Sequence, residues 1–292
     1  MLNRRPTHVQ EEVYQDLRDL SRFYQNLTED TVRTKNRLHK VLQVTFPEIE
    51  SILSAPTGEQ YWQLVRAFPS KAFALEMSEM ELTAIIRQST AKRISDKRVA
   101  YLVGKLIELA KQSYCATKKT SPIIEEVRYY AQELVRLSDR RQAVLDEMVK
   151  STQPLPEYEI LLSIPGIAET TATSIISELG DIRRFQSANQ INAFIGIDLR
   201  HYKSGNFLAQ EHITKRGNPH ARKILFKTIH NIASVSHTKP YHIADFYEKR
   251  KRQSQTTSTK PHTIASMHRL IQTMYYLITH NKLYDYTLTQ NH

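Results

Sequence analysis

At 292 residues with 40% apolar side chains, the chain can bury a substantial core, and its formal charge of +11 favours polyanionic partners over cationic ones. No run of about 18 apolar residues occurs, and the start "MLNRRPTHVQEEV" lacks the apolar stretch of a signal peptide, so membrane insertion and export are not expected and the location is expected to be cytoplasmic. The single Cys115 excludes an internal disulfide or a cysteine metal cluster; it falls in a helical pattern and reads as an idle thiol.

From the N-terminus, Val13, Leu17, Leu20, Tyr24 and Leu27, then Leu38 and Val41, recur at the alternating four and three spacing of a heptad seam and predict one long helix ending near Pro47. Around "YWQLVRAF", "MELTAIIRQ" and "VAYLVGKLIELA", residues 60–115 predict shorter amphipathic helices. A second seam, Ile123, Val127, Tyr130, Leu134, Leu137, Arg141, Val144 and Met148, starts after Ser121-Pro122, with proline suited to a first turn. The fold class is therefore mainly α, with long coiled-coil helices followed by a helical C-terminal domain. The expected stretches are 1–50, 51–150 and 151–292, the last opening on the proline-bearing "STQPLPEYE".

Beyond that boundary glycine use changes: five of the seven glycines fall within 166–217, where tight turns and close backbone approach are expected. In "LLSIPGIAETTATSIISELGDI", residues 161–182, a short apolar helix meets Pro165, Gly166 and Ile167 and enters a second helix ended by Gly180. That is the pattern of a helix-hairpin-helix element, in which backbone N–H groups at a helix start approach a nucleic-acid phosphate whatever its sequence. An ordinary helical turn with glycine at the bend has the same pattern. Glu178 and Asp181 straddle the end of the second helix and read as a solvent-facing pair.

The next motif, "HYKSGNF" followed by "ITKRGNPHARK", sets Ser204 before Gly205 in a turn (201–207), flanked by Lys203, with Lys215, Arg216, Gly217 and Arg222 a short loop away. A serine hydroxyl attacks only when its proton is taken and the developing charge is stabilised, which neighbouring cations do for phosphoryl groups. Serine and glycine are also what turns are made of, and the residues alone leave Ser204 as a turn residue. Residues 201–262 hold twelve Lys or Arg against Glu211, Asp245 and Glu248, and seven of the twelve histidines. This density suits nucleic acid or an anionic surface. His201, His212, His220 and His230 lack a metal-ligand spacing, so no metal site is expected there. After Gly217, Asn218 as N-cap and Pro219 predict a helix over "ARKILFKTIHNIASV"; "KRKRQSQTTSTKPH" (249–262) predicts a basic loop, and "TIASMHRLIQTMYYLITHN" a last amphipathic helix.

The wording and order of residues 161–225 resemble the C-terminal domain of the insertion sequence 110 transposase family, recombinases of the DEDD/serine type guided by a bridge RNA. Looser similarity covers "LRDLSRFYQNLTEDTVRTKNRLHKVL", "FYEKRKR" and "ASMHRLIQTMYYLI". The resemblance implies a serine nucleophile at Ser204 that attacks a DNA phosphate. It implies phosphate contacts from Lys203, Lys215, Arg216 and Arg222, and backbone approach at Pro165, Gly166, Ile167, Gly205 and Gly217. It also implies DNA and a guide RNA as partners, and a separate nuclease-like domain whose four carboxylates bind magnesium. That acidic domain should precede the "LRDLSRF" helix, where this chain has only sixteen residues. Asp16 and Asp19 mimic its D-x-x-D spacing from inside the helix and read as surface residues.

The chain is accordingly expected to be a truncated or split reading frame, with 1–50 a remnant helix of the nuclease-like domain. It would hold no metal itself and would depend on an intact partner or on oligomerisation through the coiled coil. The rival readings are a non-catalytic nucleic-acid-binding coiled-coil protein and a structural coiled-coil protein with an incidental basic tail.

Overall fold

The computed structural model describes residues 11–115, 117–200, 203–204, 207–208, 212–236, 241–254 and 257–287. The chain is mainly helical and divides into two compact units, Met1–Arg22 with Leu145–His292, and Phe23–Val144. These units divide the chain differently from the expected stretches, because two long helices, α1 (Glu12–Thr45) and α6 (Pro122–Thr152), each run through both.

The seam of α1 follows the expected line at Leu17, Leu27, Leu38 and Val41 and is widened by neighbours that hydropathy did not single out. Tyr14, Leu17, Ser21, Leu27, Thr31, Thr34, Leu38, Val41, Leu42 and Thr45 are buried, whereas Val13 and Leu20 are only half-buried. Threonine continues the seam because its hydroxyl can be satisfied inside the helix: Thr31 donates to the Leu27 carbonyl at 2.7 Å and Thr45 to that of Val41 at 3.2 Å. On α6 the buried line is Ile124, Val127, Ala131, Leu134, Leu137, Val144 and Met148.

In the Phe23–Val144 unit, Leu38, Val41 and Leu42 share one core with Val127, Ala131 and Leu134. Arg140 and Arg141 lie over the rings of Phe23 and Tyr24, at 5.4 and 5.9 Å. The two helices therefore run antiparallel within this unit. The same core takes in a 3₁₀ turn (Pro47–Ser51), α2 (Glu59–Ala67), α3 (Lys71–Leu75), α4 (Glu79–Gln88) and α5 (Asp96–Gln112), with Phe46, Trp62, Phe68, Leu102 and Leu106 inside. Ser78 and Glu81 close α4 with a reciprocal capping box, and Ser95 accepts the Arg98 N–H at the start of α5. Cys115 lies beyond the end of α5, outside the helix expected to carry it.

The other unit is built of α7 (Pro156–Leu162), α8 (Glu169–Leu179), α9 (Ala188–Ile195), α10 (Pro219–Val235), α11 (His242–Gln253) and α12 (Lys260–Thr279). Between α9 and α10 come two antiparallel pairs of two-residue strands, β1 (Leu199–Arg200) with β4 (His212–Ile213), and β2 (Lys203–Ser204) with β3 (Phe207–Leu208). The basic run expected as a loop over 249–262 is helical at both ends, in α11 to Gln253 and in α12 from Lys260. Lys249–Arg252 form the last turn of α11, where cations meet the negative end of the helix, and Pro261 sits in the first turn of α12.

His242, at the start of α11, is packed between Tyr284, whose hydroxyl is 2.9 Å from Nδ1, and Thr273, whose hydroxyl is 3.3 Å from Nε2. Burial, helped by Arg269 and opposed by Asp245, lowers its pKa below the ordinary imidazole value. The unfolded chain then binds more protons as pH falls through about 6.5, so stability drops there. Urea unfolding at pH 8 and pH 5.5 should show lower stability at the acidic pH, with a shallower difference in His242→Gln.

Candidate nucleic-acid interface

The hairpin segment is two helices joined by a tight turn. Ile164 and Ile167 are buried on either side of half-exposed Pro165 and Gly166, and the Ile167 N–H closes the turn on the Ile164 carbonyl at 3.1 Å. Gly166 has φ +87°, and a Cβ there would stand 2.7 Å from Cα of Ile232 on α10. Glycine is thus required both by the backbone angle and by the approach of α10. Ala168, at the N-cap of α8, supplies no side-chain cap, leaving first-turn N–H groups to partners from outside. A shallow cleft of about 410 Å³ opens at this point, with Gly166, Ala168 and Thr171 on one wall and Asn231 and Ser234 on the other.

The strand pairs are anchored at their base. The Gly196 carbonyl accepts the Lys215 N–H at 3.0 Å, the Phe194 carbonyl accepts the Asn218 N–H at 2.8 Å, and the Thr214 hydroxyl donates to Asp198 at 2.5 Å. Two glycines permit this contact: a Cβ on Gly217 would lie 2.3 Å from the Phe194 carbonyl oxygen, and one on Gly196 2.6 Å from that of Arg216. From this base the backbone pairs Leu199 with Ile213 and Arg200 with His212, and further out Lys203 with Leu208 and Ser204 with Phe207. Ser204 and Lys203 therefore belong to the backbone of β2; Gly205 lies outside the described residues. His268 of α12 sits by the base, its pKa lowered by burial and partly restored by the Ile197 backbone and the Asp198 carboxylate.

Lys215, Arg216 and Gly217 are exposed in the loop that returns from β4, with Lys215 at φ +54°. Arg222, expected as a phosphate ligand, is half-buried and donates from Nη1 to the Ile195 carbonyl at 2.7 Å, tying α10 to the end of α9. Along the exposed side of α10 follow Lys223, Lys227, His230, Asn231 and Ser234. At about 1.5 Å per residue, the thirteen steps from Pro219 to Ile232 carry that side about 20 Å, from the Lys215–Arg216 loop to the Gly166 turn. The two motifs thus lie at opposite ends of one helix.

Of the pair expected to face solvent at the end of α8, Asp181 is partly exposed and pairs with Arg183 at 3.4 Å, but the expectation for Glu178 is corrected. Glu178 is fully buried; its Oε2 accepts the Asn218 amide N–H at 2.7 Å, and its Oε1 lies 3.6 Å from Nε of Arg22 on α1. Asn218 in turn caps α10, accepting the N–H groups of His220 and Ala221. A second buried carboxylate, Glu157, accepts the Tyr14 hydroxyl at 2.6 Å and pairs with Arg183 at 3.2 Å. The signal for Glu178 lay in the helix itself: "TTATSIIS" carries no charge on any side, as in helices surrounded by protein.

Asp16 and Asp19 are exposed on α1, and among the described residues no three His, Cys, Asp or Glu side chains converge to hold an ion. No described helix is long and apolar enough to cross a membrane.

Because removal of one partner leaves the other buried group unpaired, Glu178→Ala should cost about 3 kcal/mol of unfolding free energy. Arg22→Ala, at a half-exposed side chain, should cost under about 1 kcal/mol. Equal losses in urea titrations would make the ion pair, rather than the bond to Asn218, the anchor.

Residues 158–248 match a family model described as "Transposase IS116/IS110/IS902 family", and residues 2–47 match a second model described as "Transposase". A Streptomyces coelicolor protein named "Insertion element IS110 uncharacterized 43.6 kDa protein" is 23% identical over 224 residues, 76% of this chain and 54% of that protein. The "Transposase for insertion sequence element IS1111A" of Coxiella burnetii is 34% identical over 113 residues, 32% of this chain and 31% of its own length. That for IS1328 of Yersinia enterocolitica is 35% identical over 65 residues, 22% of this chain and 20% of its own. The chain thus spans about half or less of the length of these relatives. Both matched segments, and the named relatives, place the similarity with transposases of insertion sequences, IS110 among them.

Proposed function

We propose that this chain takes part in DNA transposition, holding a DNA strand along α10 and supplying Ser204 as the nucleophile. The observation that carries the reading is the pair β2–β3, which sets the Ser204 backbone on a ribbon hung from a base beside exposed Lys215 and Arg216. In the proposed step the serine oxygen bonds to phosphorus, the bond from phosphorus to a sugar oxygen breaks, the hydroxyl proton is given up, and the departing sugar oxygen gains one. Lys203, Lys215 and Arg216 neutralise the phosphate, Arg222 ties α10 to the end of α9 behind them, and Gly205 and Gly217 admit the strand. The helix-hairpin-helix at Pro165, Gly166 and Ile167 grips the backbone about 20 Å away, a few phosphate spacings along the strand.

The antiparallel α1 and α6 act as a coiled coil. An intact transposase partner and magnesium are taken to complete the reacting site, and a guide RNA shares the basic surface. The work is done in the cytoplasm.

With an intact partner and target DNA present, a covalent protein-DNA adduct should form and be absent in Ser204→Ala; identical gels for the two proteins would leave a non-catalytic nucleic-acid-binding protein. Replacing both Lys215 and Arg216 with alanine should flatten the slope of log affinity against log salt on duplex DNA by about 1.8, two phosphate contacts' worth. An unchanged slope would remove them from the interface.

A further inference from the structure

A second charged surface lies in the other unit, outside both segments that match the transposase models. The loop between α4 and α5 and the first turn of α5 read "STAKRISDKR", and Lys92, Arg93, Lys97 and Arg98 are all exposed. The carboxylate among them, Asp96, is paired with Arg87. These residues border an open cleft of about 710 Å³ lined by Arg87, Lys92, Arg93, Ile94, Ser95 and Asp96. The start of α5 points its positive end to the same place, its Arg98 N–H already satisfied by Ser95.

One turn into α5 the chemistry changes from charge to a ring. Tyr101 is 54% exposed, and the Arg98 guanidinium lies 5.0 Å from its ring centroid. One turn further, Gly104 stands in the helix interior on the exposed side, and a Cβ there would meet nothing within 4 Å. Neither its backbone angle nor its packing demands glycine, which helices otherwise disfavour. The ring and the bare backbone beside it leave room for a flat group to approach from outside.

We infer that this corner binds single-stranded nucleic acid, with phosphates on Lys92, Arg93, Lys97 and Arg98, and an unpaired base stacked on Tyr101 and seated over Gly104. The combination selects an unpaired strand, because in a duplex the faces of the bases are already covered. An acidic protein would satisfy the cations and leave the ring and the glycine unexplained. The inference does not depend on the role of Ser204.

The test uses the full chain and fluorescence anisotropy with labelled 20-nucleotide RNA, DNA of the same sequence, and the DNA duplex. Tyr101→Ala should weaken at least one single strand about five- to a hundred-fold and leave the duplex unchanged, while Tyr101→Phe binds like the parent. A loss with RNA alone or DNA alone identifies which strand is bound. Gly104→Ala, which cannot disturb packing, should raise the melting temperature and still weaken single-strand binding. Replacing Lys92 and Arg93 together with alanine should lower the single-strand salt slope by about 1.4. The inference is overturned if both Tyr101→Ala and Gly104→Ala bind every single strand like the parent, or if duplex affinity falls in parallel.

Discussion

A carboxylate with no exposure to water organises the transposase-like unit. Taking Glu178 out of solvent costs several kcal/mol, and a half-exposed arginine 3.6 Å away returns little of it. The bond to the Asn218 amide, at 2.7 Å, is the stronger compensation. Asn218 then has every polar group of its own in use: the amide nitrogen on Glu178, the amide oxygen on the first turn of α10, and the backbone N–H on Phe194. One buried charge therefore fixes where α10 begins, and through it the loop carrying Lys215 and Arg216. The same carboxylate reaches α1 through Arg22, so the two segments that match transposase models are bonded to each other within one unit.

Close backbone approach does the remaining positioning. At Gly166, Gly196 and Gly217 the chain comes so near another backbone that a methyl group would not fit. Together these contacts hold the hairpin turn against one end of α10 and the base of the strand pairs against the other. The candidate interface is thus assembled from main-chain geometry, and its cations are borne on elements whose relative spacing is set elsewhere.

Much of this was legible in the residues. The periodicities of α1 and α6, the Asn218-Pro219 helix start and the helix–turn–helix around Gly166 all follow from local chemistry that the fold does not override. The polar members of the α1 seam were not legible, because hydropathy ranks threonine low, whereas Thr31 and Thr45 bury a hydroxyl already bonded to their own helix. The charge of "KRKR" suggested a loop, but at a helix C-terminus that charge is favourable. Glu178 was misread because an acidic residue near a helix end is ordinarily solvated; only the uncharged surroundings of α8 signalled otherwise. The strand pairs around Ser204 are two residues long, too short to leave a period in any window.

The brevity of those strands has an evolutionary consequence. Among the described residues the foot of the ribbon is held by backbone bonds from Lys215 to Gly196 and from Asn218 to Phe194, with the Thr214 hydroxyl on Asp198 beside them. A backbone bond does not depend on which side chain its residue carries, so such a foot can persist through substitutions at the positions it joins, and sequence drift there need not cost the helical body its shape.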